Sequence, residues 1–315
     1  MKLKSLMIAG LASTLLMFAN ADTFPQHTVK IITNLPVGSP PDVMARKVGD
    51  LLSLKWHVPV YVENRPGANG VVGLDAYLKE PADGHTIYMG DFGSFVTMPT
   101  LYKKDELVSH MRTLVPMYQN YWVIVTPKSI KNLDELKAAA KLKPYYGSWG
   151  VGTSGNICGA ELSREFKIDG VHAPYKEYGQ WFGDVINGNL TFSCASVGAT
   201  EQYREAGKLN YIAITADTRD PELPGVPTIK ELTGKPFESK EGWIGFFINR
   251  DVPEKYVTQL EADLRSAVAD KEIQESIAIV RGKPWSASKE EFEHSRVTSY
   301  NKYKKLINEL HITVE

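Results

Sequence analysis

Two loops of this chain could bind an anion through their backbone N–H groups. The first, at residues 37–39, lies between a β-branched run and a helical pattern, and the second, at residues 148–153, also precedes a helical stretch. At a helix start the first N–H groups lack a partner and the helix dipole adds roughly half a positive charge, so a carboxylate or phosphate is favoured. Neither loop contains lysine or arginine, so N–H donors would have to hold the charge. For the first loop, the alternative is a plain strand-to-helix turn punctuated by proline.

The second loop also matches a dinucleotide-binding motif. Gly150 to Gly155 has the form G-x-G-x-x-G, follows a predicted strand and opens a predicted helix. A Rossmann unit needs an acidic residue at the end of its next strand, about twenty residues on. Here Asp169 precedes that strand, at residues 171–173, instead of ending it. We therefore expect an anion site without a nucleotide, and no cofactor.

Motifs of familiar hydrolases and metalloenzymes are missing from the sequence. No serine stands in G-x-S-x-G, and neither HExxH nor a Walker lysine motif occurs. The seven histidines are scattered singly, with no pair at the spacing of metal ligands, so no metal is predicted. Cys158 and His172 could form a nucleophile and its base, so a secreted enzyme acting on a small anionic substrate is the alternative function.

Three strand-helix units place the first loop at one edge of a sheet. Strands are predicted at 29–35, 58–63 and 86–89, each followed by a glycine-containing loop. Consecutive βαβ units form a parallel sheet with right-handed crossovers, so all three loops should open on the same edge. The second and third loops add Asn69, Phe92 and Ser94 to this edge.

A second series of the same kind starts at Tyr121. Strands are predicted at 121–126, 145–148, 171–173, 190–194 and 211–215, and their loops bring Pro174, Tyr175 and Ser196 to the edge of a second sheet. A strand at 243–248 returns to the first sheet, and the tail is helical. The predicted fold class is α/β with two domains, residues 22–123 plus 247–315 and residues 124–246, each a mostly parallel sheet flanked by helices.

Residues 1–21 have the pattern of a cleavable signal peptide. Lys2 and Lys4 precede an uncharged, mostly apolar stretch, and Ala19-Asn20-Ala21 is an A-x-A cleavage site. The mature protein is therefore expected in the periplasm, starting near Asp22. Of the 36 basic residues 34 remain, against 37 acidic ones, with both signs spread along the chain. Neither nucleic acid nor an anionic membrane surface is an expected partner.

Cys158 and Cys194 are the two cysteines. Export permits a disulfide. Cys158 lies in the first turn of the predicted helix after the second loop, and Cys194 ends a predicted strand of the same domain, so both are expected near the same sheet edge. A bridge and a pair of small buried thiols both fit this placement.

Segments along nearly the whole mature chain resemble one family. The most specific are Val62 to Gly70, Pro81 to Gly84, His172 to Lys176 and Leu223 to Thr228. Together they are similar to Bug-type receptors, the periplasmic substrate-binding proteins of tripartite tricarboxylate transporters. The resemblance implies a two-domain periplasmic-binding-protein fold of the Venus-flytrap, type II kind, which closes on a small carboxylate without catalysis. It also implies the integral-membrane subunits of such a transporter as partners, and we expect a monomer.

The predicted ligand residues combine the resemblance with the loop positions. In the family, loop amides, hydroxyls and waters at two facing strand-to-helix turns hold the carboxylate, and these turns map onto residues 38–39 and onto 148–153 with 174–175. This sequence departs from the family pattern at Ser39, Trp149 and Glu177, which concerns the ligand and leaves the fold unchanged. The full predicted set is Val37, Gly38, Ser39, Asn69, Phe92, Ser94, Ser148, Trp149, Gly152, Thr153, Pro174, Tyr175 and Ser196.

Aromatic residues near the predicted cleft favour a ligand with an apolar body. Trp149 and Phe92 stand in facing loops, and Tyr175 and Trp181 follow in the second domain. Each aromatic pair contributes roughly 0.5–1.5 kcal/mol beyond area burial. We therefore expect an aromatic mono- or dicarboxylate rather than a short aliphatic acid such as citrate. The alternative is that Trp149 packs against its own domain.

Overall fold

The first strands and helices form the parallel sheet that the sequence predicts. The computed structural model describes residues 24–314, and the predicted signal peptide lies outside them. β1 pairs in parallel with both β2 and β3. The predicted helix positions Met44, Val48 and Leu52 are at most 1% exposed and pack on this sheet. The elements are β1 (Val29–Thr33), α1 (Pro40–Trp56), β2 (Val60–Asn64), a 3₁₀ turn (Ala68–Gly70), α2 (Val71–Tyr77), β3 (Thr86–Asp91), a π turn (Gly93–Thr97), α3 (Met98–Tyr102) and α4 (Asp105–Ser109).

The middle of the chain repeats the alternation of strands and helices. After β4 (Met111–Pro127), strands β5, β6 and β7 lie parallel in the order β6-β5-β7. Asn132 begins α5 as predicted, because its side chain accepts a hydrogen bond from the Glu135 N–H. The elements are α5 (Leu133–Ala140), β5 (Tyr145–Ser148), α6 (Ser154–Phe166), β6 (Val171–Pro174), α7 (Tyr178–Ile186), β7 (Phe192–Ser196), α8 (Val197–Glu205), β8 (Leu209–Ile214) and α9 (Ile229–Thr233).

The last part of the chain returns to the first sheet and then becomes helical. β9 inserts between β3 and β4 and runs antiparallel to both. Ser288 and Glu291 form the predicted capping box at the start of the last helix. The elements are β9 (Glu241–Asn249), α10 (Glu254–Val268), α11 (Lys271–Ile279), β10 (Lys283–Pro284) and α12 (Lys289–Glu309).

The 17-residue strand β4 belongs to two sets of strands. It pairs with β9 over Met111–Tyr121, and from Trp122 onward it pairs with β7 on one edge and β8 on the other. The sequence prediction placed its start ten residues too late. Pro116 interrupts the strand pattern there, but it lies at an irregularity of the β4–β9 ladder, where a missing N–H is tolerated.

The change of partner along β4 separates two lobes. Lobe 1 contains β1–β3, β9, β10 and residues 111–121 of β4, and lobe 2 contains β5–β8 and residues 122–127 of β4. Each sheet is buried on both faces, since Ile31 and Ile32 enter different cores, as do Val123 and Ile124. The predicted domain limits, after residues 123 and 246, stay a prediction, and the strand pairing favours limits near 121 and 241.

No helix within residues 24–314 is both long enough and apolar enough to cross a membrane. Cys158 of α6 and Cys194 of β7 are fully buried, and the structure joins them in a disulfide with a Cα–Cα distance of 6.1 Å.

We expect this disulfide in the exported protein, where it should contribute about 3–4 kcal/mol to the free energy of unfolding in the chain-entropy model. It closes a loop with a sequence separation of 36. Guanidinium unfolding with and without reductant measures the contribution, and the double variant Cys158→Ser/Cys194→Ser should not respond to reductant. Two free thiols per chain, after labelling of unreduced denatured protein, would exclude the bridge.

Candidate ligand-binding cleft

Strand β4 brings the carboxyl ends of the two parallel sheets face to face. Asp91, the last residue of β3, pairs with Ile244 of β9, which in turn pairs with Tyr118 of β4. Ser196, the last residue of β7, pairs with Trp122 of β4. At about 3.4 Å per residue, the two edges stand about 14 Å apart along β4. We call the space between these edges the interlobe cleft.

The lobe 1 edge of this cleft presents a carboxylate that accepts hydrogen bonds from neutral groups. Oδ1 of the half-buried Asp91 accepts hydrogen bonds from the Asn34 side-chain amide (3.1 Å), the Ser94 N–H (3.1 Å) and the Ser94 hydroxyl (2.7 Å). The Tyr88 hydroxyl donates to Asn34 Oδ1 and orients it. Ser94 is fully buried, so its predicted role as a ligand donor is corrected to positioning Asp91.

The first loop uses its N–H groups within the protein. The Gly38 N–H donates to Oδ2 of the buried Asp42 at 2.8 Å, and the Ser39 N–H donates to the carbonyl three residues earlier at 3.1 Å. Pro40 and Pro41, at the start of α1, have no N–H to offer. The prediction that the Gly38 and Ser39 amides hold the ligand is therefore corrected. Val37 is the open side chain of this loop, at 73% exposure.

The lobe 2 edge presents hydroxyl groups and a neutral imidazole. The Ser148 hydroxyl lies 2.7 Å from His172 Nε2, 3.0 Å from the Gly150 carbonyl and 3.3 Å from the Thr153 hydroxyl. Burial lowers the pKa of His172 to about 4, so its ring is neutral near pH 7. Ser148 is fully buried, so its contact with His172 orders the loop and does not expose a nucleophile.

Gly152 connects the second loop to lobe 1. Its carbonyl accepts hydrogen bonds from the Thr97 hydroxyl at 2.8 Å and from the Asn69 side-chain amide at 3.4 Å. Its N–H donates to Asn156 Oδ1 at 2.9 Å. A Cβ at Gly152, where φ is +77°, would stand 2.2 Å from Leu101 Cδ1. Close approach of the lobes therefore requires glycine here, and Asn69 bridges the lobes rather than projecting freely toward a ligand.

Two of the predicted aromatic side chains belong to the cores. Phe92 is 2% exposed and packs edge-on against Trp243 and Tyr303, with ring centroids 5.6 and 4.7 Å away. Trp181 is 4% exposed, and its indole N–H donates to the Ser193 hydroxyl. The prediction that Phe92 lines the cleft is wrong, because the chain turns into a helical segment directly after β3 and directs this ring inward.

Trp149 packs against Tyr178, with ring centroids 4.4 Å apart and planes 31° apart. Trp149 is half-buried and Tyr178 is 46% exposed, so the pair keeps accessible apolar surface; we call it the Trp149–Tyr178 wall. Burial and, to a lesser extent, the nearby Tyr178 and Asp91 raise the pKa of Tyr118. Tyr178 of the wall and Asp91 thus lie within electrostatic reach of the same buried β4 residue.

The remaining predicted residues stand at strand ends of lobe 2. Pro174 is exposed at the end of β6, and Tyr175 is half-buried with its hydroxyl donating to Asp184 Oδ2 at 2.7 Å. Ser196 is the N-cap of α8 without a side-chain capping bond. The first N–H groups of α8 lack intrahelical acceptors, so this turn keeps donors that the first loop does not.

Sequence reasoning missed Asp91, Thr97, His172 and Tyr178 as cleft residues. A signal existed for Asp91, an acidic residue in the loop after the strand predicted at 86–89, and for His172, which stands two residues before Pro174. Thr97 gave no signal, because only the docking of Gly152 makes it important. Tyr178 gave none either, since an exposed ring at the start of a helix is common on any surface.

The chain is similar to known proteins in sequence and in fold. Residues 44–312 match the family described as Tripartite tricarboxylate transporter family receptor. The chain belongs to this receptor family. BugT of Bordetella pertussis (strain Tohama I) is 29% identical to this chain over 284 residues, which cover 86% of this chain and 84% of BugT.

Two solved structures show the same fold. The periplasmic binding protein BugD has a TM-score of 0.79 at 22% identity, covering 93% of this chain and 100% of BugD. MatC from Rhodopseudomonas palustris, with bound malate, has a TM-score of 0.77 at 21% identity, covering 90% of this chain and 100% of MatC. The fold is therefore that of a two-domain periplasmic binding protein, and the chain is a transport receptor rather than an enzyme. Cys158, the nucleophile of the alternative reading, is bonded to Cys194.

Replacing Gly152 with alanine is expected to separate the lobes where Gly152 meets Leu101, because the new Cβ would overlap the leucine. Gly188→Ala is the matched control: its φ is +70° and it lies in the same lobe, but nothing is within 4 Å of its Cβ position. Both variants should show the same backbone strain, about 1–3 kcal/mol. Small-angle X-ray scattering should give a larger radius of gyration for Gly152→Ala, and equal scattering curves would contradict the expectation.

The free energy of unfolding should fall as the pH drops from about 6.5 to about 4, because of His172. The unfolded histidine has a pKa near 6.5, whereas the folded pKa is about 4. Over this range only the unfolded chain binds the proton, so stability present above pH 6.5 is lost by about 2–3 kcal/mol at most. Urea unfolding at both pH values should show a smaller difference for His172→Gln than for the wild type or for the exposed-residue control His294→Gln. Equal pH dependence in all three would refute this.

Proposed function

We propose that this receptor is exported to the periplasm, captures a small organic carboxylate in the interlobe cleft and delivers it to the integral-membrane subunits of a tripartite tricarboxylate-type transporter. The strongest support is that the carboxyl edges of the two sheets face each other across the cleft along β4, and both edges carry polar groups. Its family membership supports the transport role. MatC, which shares the fold, holds malate.

The carboxylate is proposed to bind at the lobe 2 edge. This edge offers the Ser196 hydroxyl, which makes no capping hydrogen bond, and the first N–H groups of α8, with no acidic group among these donors. Lobe 1 instead offers Asp91, which would repel a second anion placed beside it. The ligand group that faces lobe 1 is therefore proposed to be a hydrogen-bond donor, such as a hydroxyl, or an uncharged body.

An apolar or aromatic body is proposed to lie against the Trp149–Tyr178 wall. A ring stacked there would gain roughly 0.5–1.5 kcal/mol beyond area burial. Since Phe92 is buried, the ring would be stacked on one side only, by lobe 2. The preference for aromatic over short aliphatic acids thus depends on Trp149 and its neighbour alone.

A thermal-shift screen of aromatic and aliphatic mono-, di- and tricarboxylates tests the function. At one hundred times the dissociation constant, a ligand adds about 2.7 kcal/mol and should raise Tm by several degrees. The compound should be recovered unchanged. If no acid shifts Tm, or if methyl esters bind as well as free acids, the proposed carboxylate site is wrong.

Trp149→Ala tests the ligand preference, with Tyr145→Ala as its matched control. Tyr145 is also an accessible ring, 45% exposed, but it begins β5, whereas the cleft lies at the other end of that strand. Titration calorimetry should show weaker binding of aromatic acids to Trp149→Ala and unchanged binding to Tyr145→Ala. Unchanged affinity in both variants, or a clear preference for aliphatic acids, would remove the aromatic proposal and leave the receptor role intact.

A further inference from the structure

A cluster of metal-ligating side chains lies at the amino end of β3, away from the cleft. His27, Asp83 and His85 each bring one ligand atom to within 4.8 Å of the others. His85 directly precedes β3 and the cleft residue Asp91 ends it, so the cluster and the cleft are separated by the length of the strand, about 17–20 Å. We infer that these three side chains form a site for a divalent first-row transition-metal ion such as Zn²⁺.

The relative orientation of His85 and Asp83 is that of two ligands of a shared ion. His85 Nδ1 lies 3.3 Å from Asp83 Oδ1. This nitrogen is nevertheless buried without an aligned hydrogen-bond partner. A donor and its acceptor point at each other, whereas two ligands of one ion point at a third position. Their separation matches the edge of a tetrahedral shell with bonds of about 2.1 Å, which is about 3.4 Å.

His27 supplies the second imidazole with the required lone pair. Its Nδ1 lies 3.3 Å from the Thr28 carbonyl, and since a carbonyl only accepts, Nδ1 carries the proton and Nε2 is free to ligate. The His27 and His85 rings stack with centroids 3.6 Å apart. In the stack the two in-plane lone pairs run nearly parallel, so His27, which is exposed, must turn out of the stack to bring Nε2 to the ion, and water can complete the shell.

The cluster is supported by contacts that hold Asp83 and His85 in place. The backbone N–H of His85 donates to Asp83 Oδ1 at 2.8 Å, which turns the carboxylate toward the imidazole ring. The ring of Phe24 packs edge-on against His85 at 5.0 Å. One contact must change: the Gln26 N–H now donates to His85 Nε2 at 3.2 Å, and binding through Nδ1 moves the ring proton to Nε2.

Two imidazoles and one carboxylate select the type of ion. Imidazole nitrogen suits Zn²⁺, Ni²⁺ and Cu²⁺, whereas Mg²⁺ and Ca²⁺ prefer oxygen ligands throughout. Because His27 belongs to the segment before β1 and His85 to the start of β3, the ion would fasten the amino-terminal segment to lobe 1. It would do so without touching the cleft, so the site is independent of the proposed function.

The test is titration calorimetry of Zn²⁺ into the mature protein, prepared without a histidine tag and freed of metal. We expect one ion per chain, and binding at least tenfold weaker in His27→Ala and Asp83→Asn, since removing even a supporting residue commonly costs 10–100-fold. His294→Ala, an exposed histidine on α12, is the matched control and should bind as the wild type does.

His27 is exposed, so His27→Ala should fold and keeps the test decisive if a His85 variant does not fold. In the wild type, the visible absorption of bound Co²⁺ should indicate mixed nitrogen and oxygen ligation, and His27→Ala should lose it. Equal Zn²⁺ affinity in the wild type and His27→Ala, or no binding to the wild type, would overturn the inference. The carboxylate-induced shift in Tm should be the same in both proteins, which separates this site from the cleft.

Discussion

The continuity of β4 is the constraint on which the rest of the structure depends. One strand of 17 residues pairs within both sheets, so neither lobe can slide or rotate freely without disturbing the pairing of the other. It also fixes the separation of the two carboxyl edges at four residues of strand. Any closing motion must therefore be a twist or bend near residues 118–122, together with the start of β9 that lies beside them.

A further link limits that motion on the outer side of β4. Arg281, which follows α11 in lobe 1, forms a paired ion bridge to Glu201 of α8 in lobe 2, with N–O distances of 2.7 and 2.9 Å. Beside it, a Cβ on Gly198 would stand 2.6 Å from the Val280 carbonyl. The lobes thus touch at α8 as well as at Gly152. At each contact a glycine lets the backbone of lobe 2 come close to lobe 1.

The features that sequence could predict are those that periodicity encodes. Buried runs such as Ile31-Ile32 and helix stripes such as Met44 and Val48 predicted which segments are strands and which are helices, and parallel crossovers then predicted the edge on which the loops lie. Donor identity could not be predicted in this way. The sequence does not show which acceptor the Gly38 N–H binds, and in the structure it donates to the Asp42 carboxylate four residues later. His27 and His85 were equally hidden, because a ligand pair 58 positions apart leaves no local spacing to recognise.

The two edges of the cleft differ in the ligand groups that they can bind. The difference follows from which loops already use their backbone N–H groups in hydrogen bonds within the protein. In lobe 1, the Gly38 N–H donates to Asp42 and the Ser39 N–H donates to the Pro36 carbonyl, and β3 ends in an acceptor, Asp91. In lobe 2, the side chain of the N-cap residue Ser196 makes no capping hydrogen bond to the first N–H groups of α8. His172 is neutral because burial disfavours the charged form of its ring. In the proposed site, an anion would be attracted to lobe 2 by backbone dipoles, and lobe 1 would accept an uncharged or donating group. Recognition by both edges at once would then discriminate between ligands better than either edge alone.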